Sequence, residues 1–330
     1  MTRELHGLPK AHLHLHVAGA MRETTLWELS QRHRLPPAPP PLGNARRTWA
    51  QFQVRYDAAR DAIRTTDDLA RVIVEAAADD AADGCGWLEI QLDPTAYAPI
   101  LGGLRATLEA ALSGAANASI PVGVIVASSW ARSGEHALQL AELAVEYADA
   151  GVVGFGLSND ERRGSPADFV PAFEIAAEAG LARTPHAGFY LGAEHVRDCV
   201  ELLGATRIGH GTAAATDAGT MALLAERGIA LEVCPTSYPP FGVHELAEIP
   251  VASLLAAGVL VTIASDDPLL FGTGLAGQYA ICRDILGLSD DVLAQLAEHS
   301  VEHSMAPQPI KTAMLAGIDE WRKPTARLDQ

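Results

Sequence analysis

The chain has 330 residues, 48% of them hydrophobic, and its 41 acidic against 24 basic side chains give a formal net charge of −17. That acidity opposes binding to a phosphate backbone, which depends on Lys and Arg, and so argues against nucleic acid as a partner. With no run of about 18 apolar residues and no apolar signal segment in Met1–Gly7, the sequence predicts a soluble, cytoplasmic protein without a membrane partner.

The first predicted element is a short strand inside Leu8–Ala20. Alternation of polar and apolar residues there places His12, His14 and His16 on one face, because successive strand side chains point to opposite sides. Thr24–Arg34 reads as helix, and the proline run Leu35–Gly43, which can be neither helix nor central strand, reads as an extended loop over or beside a site. Apolar residues three and four apart around Leu69, Val72, Ile73 and Ala76 make Thr48–Asp83 helical. Seven more strands follow: Trp87–Leu92, Pro121–Ala127, Val152–Leu157, Ala182–Pro185, Arg207–Gly209, Ala230–Val233 and Leu260–Ala264. Between them lie helices at Leu104–Leu112, Gly134–Ala150, Pro166–Ala179, Ala193–Leu203, Ala218–Arg227 and Pro250–Ala257. Eight short apolar strands, each followed by helix, predict an α/β fold, a (β/α)8 TIM barrel forming one domain over residues 1–330. The tail Leu288–Gln330 is expected to be helical and to pack outside the barrel.

In such a barrel the chemistry lies at the carboxyl ends of the strands. Strand one ends in His14 and His16, strand five in His186-Ala-Gly-Phe189, strand six in Gly209-His210-Gly211 and strand eight in Ser265-Asp266-Asp267-Pro268. Strand four ends in Ser158-Asn-Asp-Glu161 and strand seven in Cys234-Pro-Thr-Ser237. His14, His16 and His186 are nitrogen donors and Asp266 an oxygen donor, a set that suits Zn2+ or another divalent transition metal with room for a water. An ion there would lower that water's pKa toward neutrality. Asp266 is placed to accept the water's proton, and His210 to act as acid, base or electrophile. Asp267 is free to hydrogen-bond substrate or, alternatively, to cap the helix that follows. Cys85, Cys199, Cys234 and Cys282 form no CxxC pair, which removes a thiolate zinc site. Lysine occurs only at Lys10, Lys311 and Lys323, none of them at the carboxyl end of a predicted strand, where a Schiff base or a carboxylated bridge between two metals would need one.

These segments resemble the adenosine deaminase family of the metal-dependent amidohydrolases. The opening Leu-Pro-Lys-Ala-His-Leu-His-Leu-His-Val-Ala-Gly-Ala is similar to the family's first motif, and the likeness runs through His-Ala-Gly, Ile-Gly-His-Gly-Thr, Glu-Val-Cys-Pro-Thr-Ser and Ser-Asp-Asp-Pro to Glu298–Pro307. The resemblance implies one zinc ion on His14, His16, His186 and Asp266, a catalytic His210, and Asp267 contacting a ring nitrogen of the substrate.

Departures from the family pattern fall around the substrate. Phe189 stands where the family has a Glu that protonates the purine ring, and no replacement is evident in the sequence; losing a general acid costs about 10²–10⁴ in rate. Ala18 replaces an acidic residue that holds a sugar hydroxyl or the purine edge, and Asn159 replaces a Gly that offers its backbone to the purine. His12 stands where Glu is common and is expected to be structural, lower in the barrel. Intact metal donors beside altered purine contacts predict a metal-dependent hydrolase acting on a C–N centre of a small molecule: an amidine, amide, lactam or purine-like ring, but not adenosine. The alternatives are a metal-dependent elimination, cyclisation or rearrangement, a metal-retaining pseudoenzyme, or an ordinary adenosine or aminodeoxyfutalosine deaminase. A small-molecule substrate is the expected partner, and the oligomeric state stays open.

Overall fold

The computed structural model describes residues 3–41 and 45–323. Eight parallel strands run in sequence order through one sheet: β1 (Lys10–His16), β2 (Cys85–Leu92), β3 (Val122–Ser129), β4 (Val152–Ser158), β5 (Ala182–Ala187), β6 (Arg207–His210), β7 (Ala230–Val233) and β8 (Leu260–Ile263). Parallel neighbours need a long crossover, and helices supply it on the outside. The strands are therefore covered on both faces, and Leu88, Ile90, Val124, Val126, Phe155, Leu157, Leu231, Val261 and Ile263 are all fully buried. The two ends of the sheet meet through Leu15 and Asp266. The Asp266 N–H donates to the His14 carbonyl and the His16 N–H to the Asp266 carbonyl, each at 3.1 Å. The fold is thus a nearly closed (β/α)8 barrel, and its closure is made by residues of the predicted site.

Each predicted strand is present within a few residues. The stretch read as one helix from Thr48 is two, α2 (Trp49–Ala62) and α3 (Thr66–Ala82), preceded by α1 (Glu23–Arg32). The break arises because Thr65 and Asp68 form a reciprocal capping box. The Asp68 N–H donates to Thr65 Oγ1 at 3.1 Å and the Thr65 N–H to Asp68 Oδ2 at 2.9 Å, which starts a new helix. The tail is also two helices, Asp290–Glu302 and Gln308–Arg322. The first lies on β1 and β8, where Ser300 Oγ accepts the Ala11 N–H at 3.0 Å. Residues 42–43 of the proline loop and 324–330 of the tail lie outside the described residues. From 35 to 41 that loop has no regular structure, and Arg55 of α2 ties it down by donating to the Pro39 carbonyl while pairing with Glu23 of α1. No helix among the described residues is long and apolar enough to cross a membrane.

Beneath the site the barrel interior carries a chain of charge. Arg207 donates Nε to Glu232 Oε1 at 2.7 Å and Nη2 to Glu89 Oε2 at 2.5 Å, and its Nη1 reaches the His303 carbonyl at 2.9 Å. Glu89 Oε1 accepts from Trp87 Nε1 at 2.9 Å and from the Met305 N–H at 2.5 Å. All three charged side chains are buried, and each is bonded at both ends. Such pairing is the condition under which charges survive inside a protein.

Candidate metal centre and active site

The ends of β1, β5, β6 and β8 bring imidazoles and a carboxylate to one point. Donor atoms of His14, His186, His210 and Asp266 all lie within 4.8 Å of one another. His16 joins them, its Nε2 standing 3.1 Å from His186 Nε2 and 3.3 Å from Asp266 Oδ1. His14 Nε2 is 3.5 Å from Asp266 Oδ1, and His210 Nε2 is 4.0 Å from Asp266 Oδ2. His12 does not join. The pairing register of β1 shifts between His12 and Leu15, and the His12 ring engages Asp80 of α3 at 2.8 Å while its Nε2 accepts the Ser265 N–H at 3.0 Å. Strict alternation fails at that irregularity, and the expectation that His12 is structural holds.

The far sides of His14, His186 and Asp266 are held. His14 Nδ1 lies 2.9 Å from Glu232 Oε2, and His186 Nδ1 donates to the Leu157 carbonyl at 2.6 Å, so both rings turn their Nε2 atoms inward. Ser237 Oγ donates to Asp266 Oδ2 at 2.7 Å. A side chain at Gly209 would place its Cβ 2.8 Å from the His14 ring, so that ring needs bare backbone beside it. Among the described residues four non-glycines have positive φ, and three of them are Asn159 (74°), just after β4, His210 (65°), at the end of β6, and Asp266 (60°), three residues after β8. Left-handed backbone in such residues is a cost of roughly 1–3 kcal/mol that the surrounding fold must hold, and it gathers at the cluster.

The electrostatics fit a cation. Burial lowers the pKa of His16, and it lowers that of His210 to about 4; burial and the neighbouring imidazoles hold His186 well below the ordinary histidine value. Burial pulls on His14 as well, but Asp266 and Glu232 outweigh it and hold that imidazole up at about 10. Burial would raise Asp266, yet the His14, His16 and His210 imidazoles beside it keep it well below the usual carboxylate range. The result is three neutral imidazoles, His16, His186 and His210, and a protonated His14 around an ionised carboxylate, with the His14 proton standing where a bound cation would replace it. His14 Nε2 is buried without a hydrogen-bond partner, so the place where it would otherwise carry a proton faces the other donors. An orphaned buried nitrogen inside a ring of nitrogen and oxygen donors is what a divalent transition metal would satisfy.

A cavity enclosing about 780 Å³ of space, part of it open to solvent, rises from this cluster. Asp267 lines it, buried, with Oδ1 unpartnered, and burial together with the adjacent Asp266 drives its carboxyl well above the usual range. A Cβ at Gly19 would sit 1.8 Å from Asp267 Oδ1, so that glycine makes room for it. Asp267 makes no capping bond to the one-turn helix Pro268–Phe271, so the alternative capping role is not taken. Phe189 lines the cavity with its ring centroid 4.7 Å from that of His210, and Asn159 lines it too while accepting the Asp160 N–H at 2.7 Å. Ala18 is fully buried and is not on the cavity wall.

The structure also brings in residues that the sequence did not single out. Trp49, Phe52 and Tyr56 of α2 wall the cavity, where their three-and-four spacing reads only as a core stripe. Phe241 and Phe271 arrive from the loops after β7 and β8. Glu161, at the end of the strand-four motif, is buried on the wall. Its Oε1 accepts the N–H groups of Tyr190 and Leu191 at 2.5 Å each, and its Oε2, without a hydrogen bond, lies 3.4 Å from His195 Nδ1.

Several known proteins resemble this chain over nearly its whole length. The chain is 49% identical over 333 residues to a putative adenosine/adenine deaminase of Streptomyces virginiae, covering 97% of this chain and 98% of that one. It is 37% identical to an aminodeoxyfutalosine deaminase of Streptomyces avermitilis, covering 97% and 94%. Among solved structures, an adenine deaminase from Arthrobacter aurescens superposes with a TM-score of 0.86 at 26% identity, covering 95% of this chain and 99% of that one. With the adenosine deaminase family model matching residues 9–321, the chain belongs to that family.

Proposed function

We propose that the protein is a zinc-dependent hydrolase that replaces an amino group by oxygen at a C–N centre of a nitrogen heterocycle other than adenosine. In such a reaction water adds to the carbon, the exocyclic C–N bond breaks, ammonia leaves and the ring keeps a carbonyl and an N–H. His14, His16, His186 and Asp266 would hold the ion, with His210 beside them. When bound, a divalent ion supplies Lewis acidity and a water acidified toward neutral pH. The ionised Asp266 is placed to take the water's proton. His210, neutral because burial keeps its pKa near 4, stands against Asp266 and can orient that water or meet developing negative charge. Asp267, whose buried carboxyl favours its proton, can donate a hydrogen bond to a ring nitrogen.

The observation that carries the choice of substrate is Phe189. Its ring packs on His210 where the family resemblance calls for a carboxyl that protonates the purine, which favours a ring already activated or carrying its own proton donor. Relatives named as adenosine/adenine, adenine and aminodeoxyfutalosine deaminases support hydrolytic deamination as the reaction class without selecting among substrates.

The test is metal content of the purified protein together with adenosine absorbance and ammonia release from a panel of amino-heterocycles, before and after zinc is added. The expected result is one metal per chain, unchanged adenosine, and ammonia from another member of the panel. Rapid loss of adenosine would overturn the substrate exclusion and make Glu161 the first group to test as the missing acid. Turnover of a compound without uptake of solvent oxygen would overturn hydrolysis itself.

A further inference from the structure

The barrel closes at a seam that has no ladder. Among the described residues β1 and β8 are joined only by the bridge between Leu15 and Asp266, with its two main-chain hydrogen bonds to His14 and His16. One residue earlier the partner changes from backbone to side chain. The Ser265 N–H donates to His12 Nε2 at 3.0 Å, the Ser265 hydroxyl lies 3.0 Å from the same nitrogen, and across the ring His12 Nδ1 lies 2.8 Å from Asp80 Oδ2 of α3. All three side chains are buried.

Donor and acceptor rules fix the protons along this line. A backbone N–H can only donate, so Nε2 presents its lone pair to Ser265, and the ring proton is left on Nδ1, where the Asp80 carboxylate accepts it. The reversed tautomer would set N–H against N–H at Ser265. Asp80 therefore selects the form of the ring that the seam needs, and it does so from a helix outside the barrel.

What this line holds is the residue next to Asp266. Asp266 keeps a φ of 60°, and such backbone persists only where its surroundings over-determine it. Its carboxylate lies 3.3 Å from His16 Nε2 and 2.7 Å from Ser237 Oγ, so a turn of the main chain at 265–266 would swing it off the imidazoles. Of the three contacts that β1 makes with this stretch, the two at Asp266 are main chain on both sides, and only the one at Ser265 comes from a side chain. That one is open to substitution. Resting on the metal-centre reading above, we propose that Asp80, His12 and Ser265 form a positioning relay for the metal donor Asp266. His12 serves the cation without touching it, by fixing the backbone from which Asp266 reaches, and Asp80 sets how firmly that backbone is held.

The experiment pairs zinc dissociation constants, from chelator competition, with amide hydrogen exchange of the metal-free full chain followed by mass spectrometry. Asp80→Asn is nearly isosteric and can turn an amide N–H toward Nδ1, which favours the wrong tautomer. It should weaken zinc by about tenfold or more, the scale on which outer partners of metal donors act. In the peptide that covers residues 265–267 it should also speed exchange by roughly the same factor, while peptides of β3 and β4 exchange as in the wild type. His12→Leu should do likewise. His12→Gln, whose carboxamide offers an acceptor to Ser265 and a donor to Asp80, should bring both quantities back to within about threefold of wild type. A ring that merely filled space would give the opposite order, with Leu equal to Gln or better. Zinc affinity of Asp80→Asn within about twofold of wild type, exchange at 265–267 that is unchanged or that rises equally in every strand, or His12→Gln no better than His12→Leu each overturns the relay. Should His12→Leu not fold, Asp80→Asn against His12→Gln decides. A wild-type chain that binds no zinc overturns the metal centre and the relay with it; tight zinc in the wild type and equally tight zinc in the variants overturns the relay alone.

Discussion

The two ends of the barrel treat buried polarity in opposite ways. At the bottom, Arg207, Glu89 and Glu232 are as buried as any side chain in the molecule, yet each is bonded across the interior or to the backbone at His303 and Met305. At the carboxyl end, His14 Nε2, His210 Nδ1, Asp267 Oδ1 and Glu161 Oε2 are buried and have no hydrogen-bond partner. Buried polar atoms in folded proteins are nearly always paired, so unpaired ones grouped around one cavity mark groups kept for something that binds there. The bottom is the machinery of position and the top the machinery of exchange. Glu232, which holds Arg207 with one oxygen and His14 with the other, is the link between them.

The largest effect should come from the top. Asp266→Ala and His186→Ala each remove one of the four proposed metal donors, and metal per chain should fall from one to near zero when measured by atomic emission after dialysis against a weak chelator. Full stoichiometry in either variant would show that the ligand assignment is wrong. Next comes the bottom. Arg207→Met leaves two buried carboxylates facing each other without their cation, and breaking such a pair costs on the order of 3–5 kcal/mol, read as a lower midpoint in guanidinium unfolding. An unchanged midpoint would mean that water reaches the interior and the network contributes little.

Glu232→Gln sharpens the comparison because it touches both ends. The amide can still accept a hydrogen bond from His14, but the negative charge that raises the basicity of that imidazole is gone. Partners of this kind are typically worth about 10–100-fold in metal affinity. Zinc affinity by chelator competition should fall by about that factor while the fold persists. If stability drops and affinity does not, Glu232 serves Arg207 alone.

How far this was legible beforehand follows from the same division. The top was readable because the period of a strand and the imidazoles at its end coincide: His14, His16, His186, His210 and Asp266 all lie at or just beyond strand ends that the pattern located. His12 looked like part of that face, and only the register shift in β1 shows why it is not. The bottom was hidden, because Glu89, Arg207 and Glu232 are single charges inside apolar runs, and nothing local says that three strands aim them at one another. The aromatic lining of the cavity was hidden for a different reason. Trp49, Phe52 and Tyr56 have the spacing of any core-facing helix, and Phe241 and Phe271 join them only through loops after β7 and β8. The break between α2 and α3 escaped because the capping box at Thr65 acts through hydrogen bonds, whereas the apolar period says nothing about where a helix starts afresh.

A last prediction tests how tightly the bottom excludes water. Lys10, at the amino end of β1, donates Nζ to the Leu5 carbonyl at 3.0 Å and to the Asp83 carbonyl at 2.5 Å, and burial lowers its pKa from 10.5 to about 8 against the pull of nearby acids. A lysine whose folded pKa lies below its unfolded one carries a destabilising term at every pH where both states hold the proton. Below about pH 8 that term is constant. Between about 8 and 10.5 the folded chain has released a proton that the unfolded chain still binds, so unfolding takes up protons and stability rises with pH by up to ~1.4 kcal/mol per unit. Buried thiols and phenols titrate in the same range with the opposite sign, so the useful quantity is the difference between the wild-type chain and Lys10→Met. That difference should move in favour of the wild type by roughly 3 kcal/mol from pH 8 to 10.5. Parallel stability curves across that window would show that the ammonium is hydrated in the folded state and that the bottom of the barrel is less dry than its packing implies.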